Sequence, residues 1–429
     1  MPSIFHVKDH IIPAAHIREF ARATSQSQEE ELSQHVKQYT PRDNPNPQKG
    51  DVTIIGAHAN GFPKELYEPL WEDLYRELKA RGLRIRSIYI ADAAWQGESG
   101  ILNRSKLGND PSWHDYARDI IHMVNTLRPA RPLIGIGHSF GGAAIINVSL
   151  YSPRLFASIV LLDPVISKYA ANPGHLANGP AAMSVYRRDV WPSRAQAAES
   201  FRRSPFYASW DERVLKLWLE YGVRPVDPDS AGDGPVTLST TKHQEVFTYL
   251  RPSWPAYPGD PNGRKVTNRD AAPDIDPIFL PDHPTGPLNL AFPFYRPEPP
   301  STLARLPHVR PPVLYIFGLK SDLSPAELIE EKLTKTGVGI GGSGGREAGR
   351  VKGVSRPDCG HLIPLEVPAF CAKEAAQWIQ GDLERWWVEE REYEEWTRKP
   401  QVDKSTISEE YKRYIGRPDK NGRKDKAKI

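Results

Sequence analysis

The feature that most constrains this chain is a serine between two glycines, in the pentapeptide Gly137-His138-Ser139-Phe140-Gly141. The apolar run Leu133 to Gly137 precedes it, and a helix-forming run from Gly141 to Tyr151 follows it. A G-x-S-x-G at a strand-to-helix turn holds its serine in a strained backbone conformation and exposes the hydroxyl at the edge of a sheet. The pattern predicts a nucleophilic Ser139 at a helix N-terminus, where developing negative charge is favoured.

Short apolar strands alternate with amphipathic helices on both sides of this turn. The predicted strands are Val52 to Ala57, Ile85 to Ile90, Leu133 to Gly137, Ala157 to Leu162, Val313 to Phe317 and Arg350 to Ser355, after β-like stretches at Ile4 to Val7 and Leu32 to Tyr39. The predicted helices are Lys64 to Ala80, Trp113 to Leu127, Gly141 to Tyr151, Ala326 to Thr334 and Pro364 to Ile379. This alternation predicts an α/β fold with a mostly parallel central sheet covered by helices on both faces.

The alternation stops after Asp163 and resumes at Pro312. The segment between begins with helical patterns, including a capping box at Ser209 and Glu212, and becomes proline-rich from Pro252 to Pro300. We expect it to be a large cap inserted between the sixth and seventh strands. The predicted organisation is 1–163 and 306–381 for the two parts of the core, 164–305 for the cap, and 382–429 for a charged helical extension with a disordered tail.

A serine hydroxyl needs a base to take its proton, and chains with this turn order the partners as serine, acid, histidine. Of the thirteen histidines, five follow Ser139: His175, His243, His283, His308 and His361. We predict His361, because it follows the last predicted strand and the other four fall in or beside the cap. For the acid we predict Asp322, which follows the strand ending at Phe317, with Asp163 as the alternative.

An acyl-transfer site also needs backbone N–H groups that hold the oxyanion. One donor is expected from Phe140, the residue after the serine, and the second from the loop His58-Ala59-Asn60-Gly61-Phe62-Pro63 after the first core strand. Pro63 has no N–H, so Phe62 is the predicted second donor.

The composition limits the classes of partner and cofactor that the chain is expected to bind. The chain has 56 basic and 53 acidic residues, a net charge of +3, so no strong field favours nucleic acid or an anionic membrane. Two cysteines without a CxxC indicate reduced thiols, and no cofactor or metal is predicted: Gly337, Gly339 and Gly342 match G-x-G-x-x-G but follow a helix instead of a strand. Neither a secretory signal nor a membrane span is expected.

The last three residues, Ala427-Lys428-Ile429, have the small-basic-aliphatic pattern of a peroxisomal address, although they depart from the strict SKL form. They predict recognition by the peroxisomal import receptor. A lysine-rich terminus without an address, and a cytoplasmic protein, is the alternative.

Taken together, NGFP, GHSFGG, GLKSD and GHLIP resemble the α/β-hydrolase superfamily over Val52 to Trp378. The stretches VKQYTP and GDVTIIGAHANGFPKELYEPLW, the GIGGSGG loop and the terminal AKI resemble fungal peroxisomal hydrolases and lipases, including hydrolases of host-selective toxin biosynthesis. This resemblance implies cleavage of esters, lipid esters or acyl thioesters through an acyl-enzyme on Ser139. It departs from epoxide hydrolases and haloalkane dehalogenases, which place aspartate where Ser139 stands.

The sequence therefore predicts a serine hydrolase that takes an apolar, fairly bulky ester or thioester, since its cap is rich in aromatic residues. Two alternatives remain. The same three residues would serve an acyltransferase, and a non-catalytic member of the fold would use the aromatic cap only to bind a ligand or partner.

Overall fold

A computed structural model of the 429-residue chain describes residues 4–170, 179–227, 234–259, 268–271 and 292–418. The strands, in chain order, are β1 (Phe5–Pro13), β2 (Ser33–Pro41), β3 (Val52–Ala57), β4 (Ile85–Ala91), β5 (Leu133–His138), β6 (Phe156–Leu162), β7 (Val190–Trp191), β8 (Val223–Pro225), β9 (Val236–Leu238), β10 (Arg251–Pro252), β11 (Phe294–Tyr295), β12 (Val313–Gly318) and β13 (Val351–Arg356). Six of these, β3 to β6, β12 and β13, lie within one residue of their predicted bounds.

The α-helices are α1 (Glu68–Ala80), α2 (Gly97–Leu102), α3 (Trp113–Leu127), α4 (Phe140–Tyr151), α5 (Pro180–Tyr186), α6 (Arg194–Arg203), α7 (Pro205–Ala208), α8 (Glu212–Tyr221), α9 (Lys242–Tyr249), α10 (Glu298–Arg305), α11 (Ala326–Lys335), α12 (Ile363–Glu366), α13 (Pro368–Thr397), α14 (Gln401–Ser405) and α15 (Glu409–Ile415). Short 3-10 turns lie at Ala21–Ala23, Lys64–Tyr67, Trp254–Ala256, Arg269–Ala271 and Leu306–His308.

Eight strands form one sheet in the order β1-β2-β4-β3-β5-β6-β12-β13. From β4 to β13 every neighbouring pair is parallel, whereas β1 and β2 add an antiparallel edge. The central strands β3 and β5 are buried at every residue, as expected for a parallel sheet covered on both faces. The predicted α/β architecture is confirmed. Since the carboxyl ends of parallel strands share one edge, the loops after β3, β5, β6, β12 and β13 meet there.

The chain between β6 and β12 forms secondary structure of its own outside the main sheet. Strands β7, β9 and β8 make a small antiparallel sheet, and β10 pairs with β11. The predicted capping box is wrong: α8 begins after Asp211, whose carboxylate accepts from the Arg213 N–H, while Ser209 ends α7. Asp211 lies two residues nearer to the helix than Ser209, so its carboxylate accepts the hydrogen bond from the unpaired N–H at the helix N-terminus. Much of the proline-rich segment lies outside the described residues.

Two compact units divide the chain, Met1–Asp382 and Leu383–Ile429. Helix α13 begins in the first and ends in the second; the single helix predicted from Pro364 is instead α12 and α13, with Pro368 at the first position of the longer one, where its missing N–H costs nothing. The four-part organisation with its cap at 164–305 stays a prediction. Across the described ranges no helix combines the length and apolar character needed to cross a bilayer.

Candidate active site

Ser139 occupies a sharp turn between β5 and α4. Its φ of 59° and ψ of −125° lie in a region that residues with a side chain rarely adopt. The turn needs glycines on both sides: a Cβ on Gly137 would lie 2.6 Å from the Gly141 oxygen, and one on Gly141 would lie 2.5 Å from the His58 oxygen. The predicted nucleophile turn is therefore present, with Ser139 itself preceding the first helical residue, Phe140.

The imidazole of His361 lies against this serine. His361 is in the loop between β13 and α12, and its Nε2 lies 2.8 Å from the Ser139 Oγ, so the hydroxyl can donate to the ring. The expectation that these two side chains meet, although 222 positions separate them, is confirmed. His361 keeps 29% of its side chain exposed, whereas its partner Asp163 is fully buried.

The structure does not bring the predicted acid partner, Asp322, to His361. The ring Nδ1 of His361 donates to Oδ2 of Asp163 at 2.7 Å, and Asp163 is fully buried. Asp322 is exposed, and within the described part of the chain it makes no hydrogen bond to His361. Asp163 immediately follows β6, and its positive φ of 42° is the backbone conformation that brings it to the histidine. The alternative that the sequence left open is the one that the structure contains.

Two serines that sequence reasoning missed surround the Asp163 carboxylate. Ser321 donates its hydroxyl to Oδ2 at 2.6 Å, and Ser324 donates to Oδ1. Burial by itself would raise the pKa of the Asp163 carboxyl, but His361 and these two hydroxyls lower it below the ordinary 3.8. Asp163 is thus held as a carboxylate. The sequence signal that could have found them is the tetrapeptide Ser-Asp-Leu-Ser after β12, in which a serine lies on each side of Asp322.

The loop after β3 lies beside the start of α4, as the close approach of Gly141 to the His58 oxygen shows. Its predicted donor, Phe62, uses its N–H in a turn, at 3.3 Å from the Ala59 oxygen, and Gly61 has the positive φ of 85° that such a turn needs. Of the five backbone N–H groups from His58 to Phe62, that of Asn60 alone has no hydrogen-bond acceptor among the described residues. The N–H of Phe140, at the start of α4, also has none.

Asn60 is held by its side chain. Its amide donates to the Glu245 backbone oxygen at 3.0 Å and accepts from Gln96 at 2.6 Å. Gln96 in turn accepts from the N–H of Gly61 at 2.8 Å. These buried bonds tie the loop after β3 to α9 of the segment between β6 and β12, so the loop is rigid before any ligand arrives.

In the ranges that the structure describes, no group of three or more histidine, cysteine or acidic side chains is arranged to hold a metal ion. The glycines of the G-x-G-x-x-G pattern lie between α11 and β13, and the N–H groups of Gly337 and Gly339 donate to the backbone oxygens of Leu306 and Pro307. That loop is thus occupied by contacts with its own chain.

Comparison with known families decides what this arrangement belongs to. A family model described as "Alpha/beta hydrolase family" matches residues 54–374, which include Ser139, Asp163 and His361. The chain belongs to the alpha/beta hydrolase family.

Relatives of this alpha/beta hydrolase include fungal proteins. It is 38% identical to a protein named Type I acyl-CoA thioesterase mpaH' from Penicillium brevicompactum, over 99% of both chains. It is 31% identical to the abhydrolase domain-containing protein AFT2-1 from Alternaria alternata, over 59% of this chain and 84% of that one. The fungal resemblance is confirmed, and the chain is a hydrolase that acts on ester or thioester bonds.

A solved structure shares the fold of this alpha/beta hydrolase. The peroxisomal alpha-beta-hydrolase Lpx1 from Saccharomyces cerevisiae superposes with a TM-score of 0.65, covering 94% of this chain and 99% of the other. The two sequences are 16% identical, so the likeness concerns architecture alone.

Aromatic side chains between β6 and β12 contact the loop after β3 in this alpha/beta hydrolase. The Phe62 ring lies 5.6 Å from the ring of Trp210 and 6.1 Å from that of Trp218, and Tyr207 stacks on Trp218 at 5.7 Å. Trp210 and Trp218 are buried. This aromatic wall, defined by Phe62, Tyr207, Trp210 and Trp218, gives the active-site loop an apolar flank.

Proposed function

We propose that this alpha/beta hydrolase cleaves acyl-CoA thioesters through an acyl-enzyme on Ser139, with His361 as the base and Asp163 as the acid that orients it. The observation that carries the proposal is the continuous pair of hydrogen bonds, Ser139 Oγ to His361 Nε2 at 2.8 Å and His361 Nδ1 to Asp163 Oδ2 at 2.7 Å. A donor bond from Nδ1 leaves Nε2 unprotonated and able to accept the serine proton.

In the first half-reaction, Ser139 Oγ attacks the thioester carbonyl carbon as its proton passes to Nε2 of His361. The carbonyl oxygen becomes an oxyanion, for which the N–H groups of Phe140 and Asn60 are the proposed donors in place of the Phe62 that the sequence predicted. When the carbon–sulfur bond breaks, the leaving thiolate takes the proton back from the imidazolium. Asp163 stabilises that imidazolium without itself becoming protonated.

In the second half-reaction, water attacks the acyl-enzyme and gives its proton to the same nitrogen of His361. The bond between the acyl carbon and Ser139 Oγ breaks, the serine recovers its proton, and a carboxylic acid leaves the site. One water is consumed, and the products are a free thiol and an acid.

A thioester substrate is supported by the 38% identity, over 99% of both chains, with a protein named as an acyl-CoA thioesterase. The aromatic wall supports an apolar and bulky acyl group, because such groups bind surfaces that are mostly apolar with few polar anchors. No observation on the described residues favours acyl transfer or a purely binding role.

The replacement Ser139→Ala tests the proposal. The purified chain should release free thiol from acyl-CoA substrates of graded acyl length, and S139A should lose about 10⁶-fold in kcat together with labelling by a fluorophosphonate probe. Replacing the exposed Ser105 by alanine is the matched control and should change neither readout.

Two results would contradict it. Thiol release by S139A at the parent rate would remove Ser139 from the mechanism. Rapid cleavage of p-nitrophenyl esters of the same acyl chains, without thiol release from any acyl-CoA, would keep the serine and reject the thioester.

We also propose that the enzyme enters peroxisomes through Ala427-Lys428-Ile429. The support is the tripeptide itself, which lies outside the described residues. Deleting these three residues should move a fluorescent fusion from peroxisomes to the cytosol in a fungal cell, and unchanged localisation would reject the proposal.

A further inference from the structure

A second histidine lies next to the nucleophile and has no part in the mechanism above. His138, the last residue of β5, is fully buried, and its ring centroid is 5.4 Å from that of His361. Both ring nitrogens have partners: Nδ1 lies 2.7 Å from the Tyr67 hydroxyl, and Nε2 lies 2.9 Å from the backbone oxygen of His361.

The groups at the two ends of this network fix the direction of its hydrogen bonds when the His138 ring is neutral. The His361 backbone oxygen can only accept, so Nε2 of His138 must carry a proton and donate it. At the other end, the Ala59 N–H can only donate, and it lies 2.8 Å from the Tyr67 oxygen. The Tyr67 hydroxyl therefore accepts from Ala59 and is free to donate its own proton to Nδ1 of His138.

The result is one chain of hydrogen bonds, defined here as the Ala59–Tyr67–His138–His361 chain. It begins in the loop after β3, which carries Asn60, and ends on the backbone of the loop that carries the base. Its two middle residues, Tyr67 and His138, are buried. It connects the two loops of the site, the loop after β3 that carries Asn60 and the loop that carries His361.

The same chain makes His138 unfit as a rival base. Burial and the positive charge that His361 would carry lower the pKa of His138 to about 3, so the ring is neutral at physiological pH. Its one lone pair, on Nδ1, already accepts from Tyr67. A neutral Nε2–H donor next to His361 adds no charge to compete with the imidazolium.

We propose that His138 is a positioning residue for the reaction. Its Nε2–H donates to the His361 backbone oxygen and so keeps the imidazole within reach of Ser139. Tyr67 links His138 to the loop after β3, because its hydroxyl contacts both His138 and the Ala59 N–H. This inference rests on the proposed function. Because the Ser139–His361 bond joins side chains from two loops, a small drift of the His361 backbone would break it, and misplacement by about 1 Å costs on the order of 10²-fold in rate.

Two amide replacements separate the roles of the two ring nitrogens. Glutamine places an amide nitrogen near the position of Nε2, whereas asparagine reaches only the position of Nδ1. We expect His138→Gln to keep most of kcat, and His138→Asn to lose about 10- to 100-fold in kcat with little change in KM. Fluorophosphonate labelling should slow in parallel, because it needs the Ser139–His361 pair but no acyl-CoA binding.

Tyr67→Phe removes the middle link, and Tyr315→Phe is its matched control. Tyr315 is also a buried tyrosine, bonded through its hydroxyl to Thr336 at 2.7 Å, away from the two loops. Y67F should lower kcat and slow labelling, and Y315F should do neither at equal thermal stability. Equal effects of Y67F and Y315F on kcat would show a merely structural role and overturn the proposal.

The unmodified enzyme provides a measurement that no folding defect can spoil. Nitrogen-15 NMR of labelled histidines should show one neutral ring with its proton on Nε2 from about pH 5 to 9, absent from the H138Q spectrum. A proton on Nδ1, or titration of this ring near neutral pH, would overturn the proposal. Unchanged kcat in H138N would do so as well, while S139A remains inactive; thiol release by S139A would instead reject the proposed function.

Discussion

The ends of β6 and β12 are neighbours in the sheet, and each is followed by an aspartate, yet they do opposite things. Asp163 directly follows β6, is fully buried and accepts the Nδ1–H of His361. Asp322 lies four residues past the end of β12 at Gly318 and is exposed, while Ser321 and Ser324 on either side of it bond to Asp163. The strand end alone thus does not assign the acid: the backbone after the strand decides which side chain points inward.

Replacing each aspartate by asparagine should give the largest difference in kcat/KM between the two strand ends. Asp163→Asn should lower kcat/KM by about 10⁴-fold, because an amide can donate to Nδ1 of His361 and hold the tautomer whose Nε2 carries the proton and cannot accept one from Ser139. Asp322→Asn should leave kcat/KM unchanged, since its exposed carboxylate has no bond to the histidine. Both variants are measured with the same acyl-CoA at neutral pH.

Two outcomes with these variants would contradict the assignment of Asp163 as the acid. A large loss in D322N with an active D163N would restore the assignment made from the sequence. Equal activity of both variants with the parent enzyme would show that His361 needs no carboxylate partner.

The sheet was predictable because its strands carry their own pattern. The runs at Val52–Ala57 and Val313–Gly318 are short, apolar and bounded by turn residues, so burial on both faces can be read from them directly. The edge strand β1 was harder: it runs to Pro13, well past the predicted end at Val7, because antiparallel pairing of exposed residues leaves a weak apolar pattern. Strand β2 lies close to the predicted stretch from Leu32 to Tyr39.

The site was predictable only where chemistry dictates residue type and spacing. Ser139 follows from its flanking glycines, and His361 from its place after the last strand. The acid could not be chosen, because the choice rests on the φ of 42° at Asp163, a property of packing around one residue. Asn60 was missed although the sequence carries a sign of the turn: Asn60-Gly61 is a turn dipeptide, and that turn occupies the Phe62 N–H through its bond to the Ala59 oxygen.

The hydroxyls of Ser321 and Ser324, which follow β12, donate to Asp163, which follows β6, and they allow a finer test. Their hydrogen bonds, added to that of His361, lower the pKa of the Asp163 carboxyl, so this group stabilises the fold above the ordinary carboxyl pKa of 3.8 and loses that contribution as pH falls through the lower folded value. The double replacement Ser321→Ala and Ser324→Ala should raise the folded pKa. The contribution should then disappear at a higher pH than in the parent enzyme.

Two measurements check this sign. The pH at which the free energy of unfolding falls on the acid side should be higher in the double variant than in the parent enzyme. The loss of kcat/KM at neutral pH should be far smaller than in D163N, because the carboxylate is still there to orient His361. The free energy of unfolding at neutral pH should fall by about 1–3 kcal/mol for each buried hydrogen bond removed. An unfolding free energy that falls at the same acid pH in both proteins would mean that His361 alone keeps Asp163 ionised, and the loop after β12 would then contribute packing instead of electrostatics.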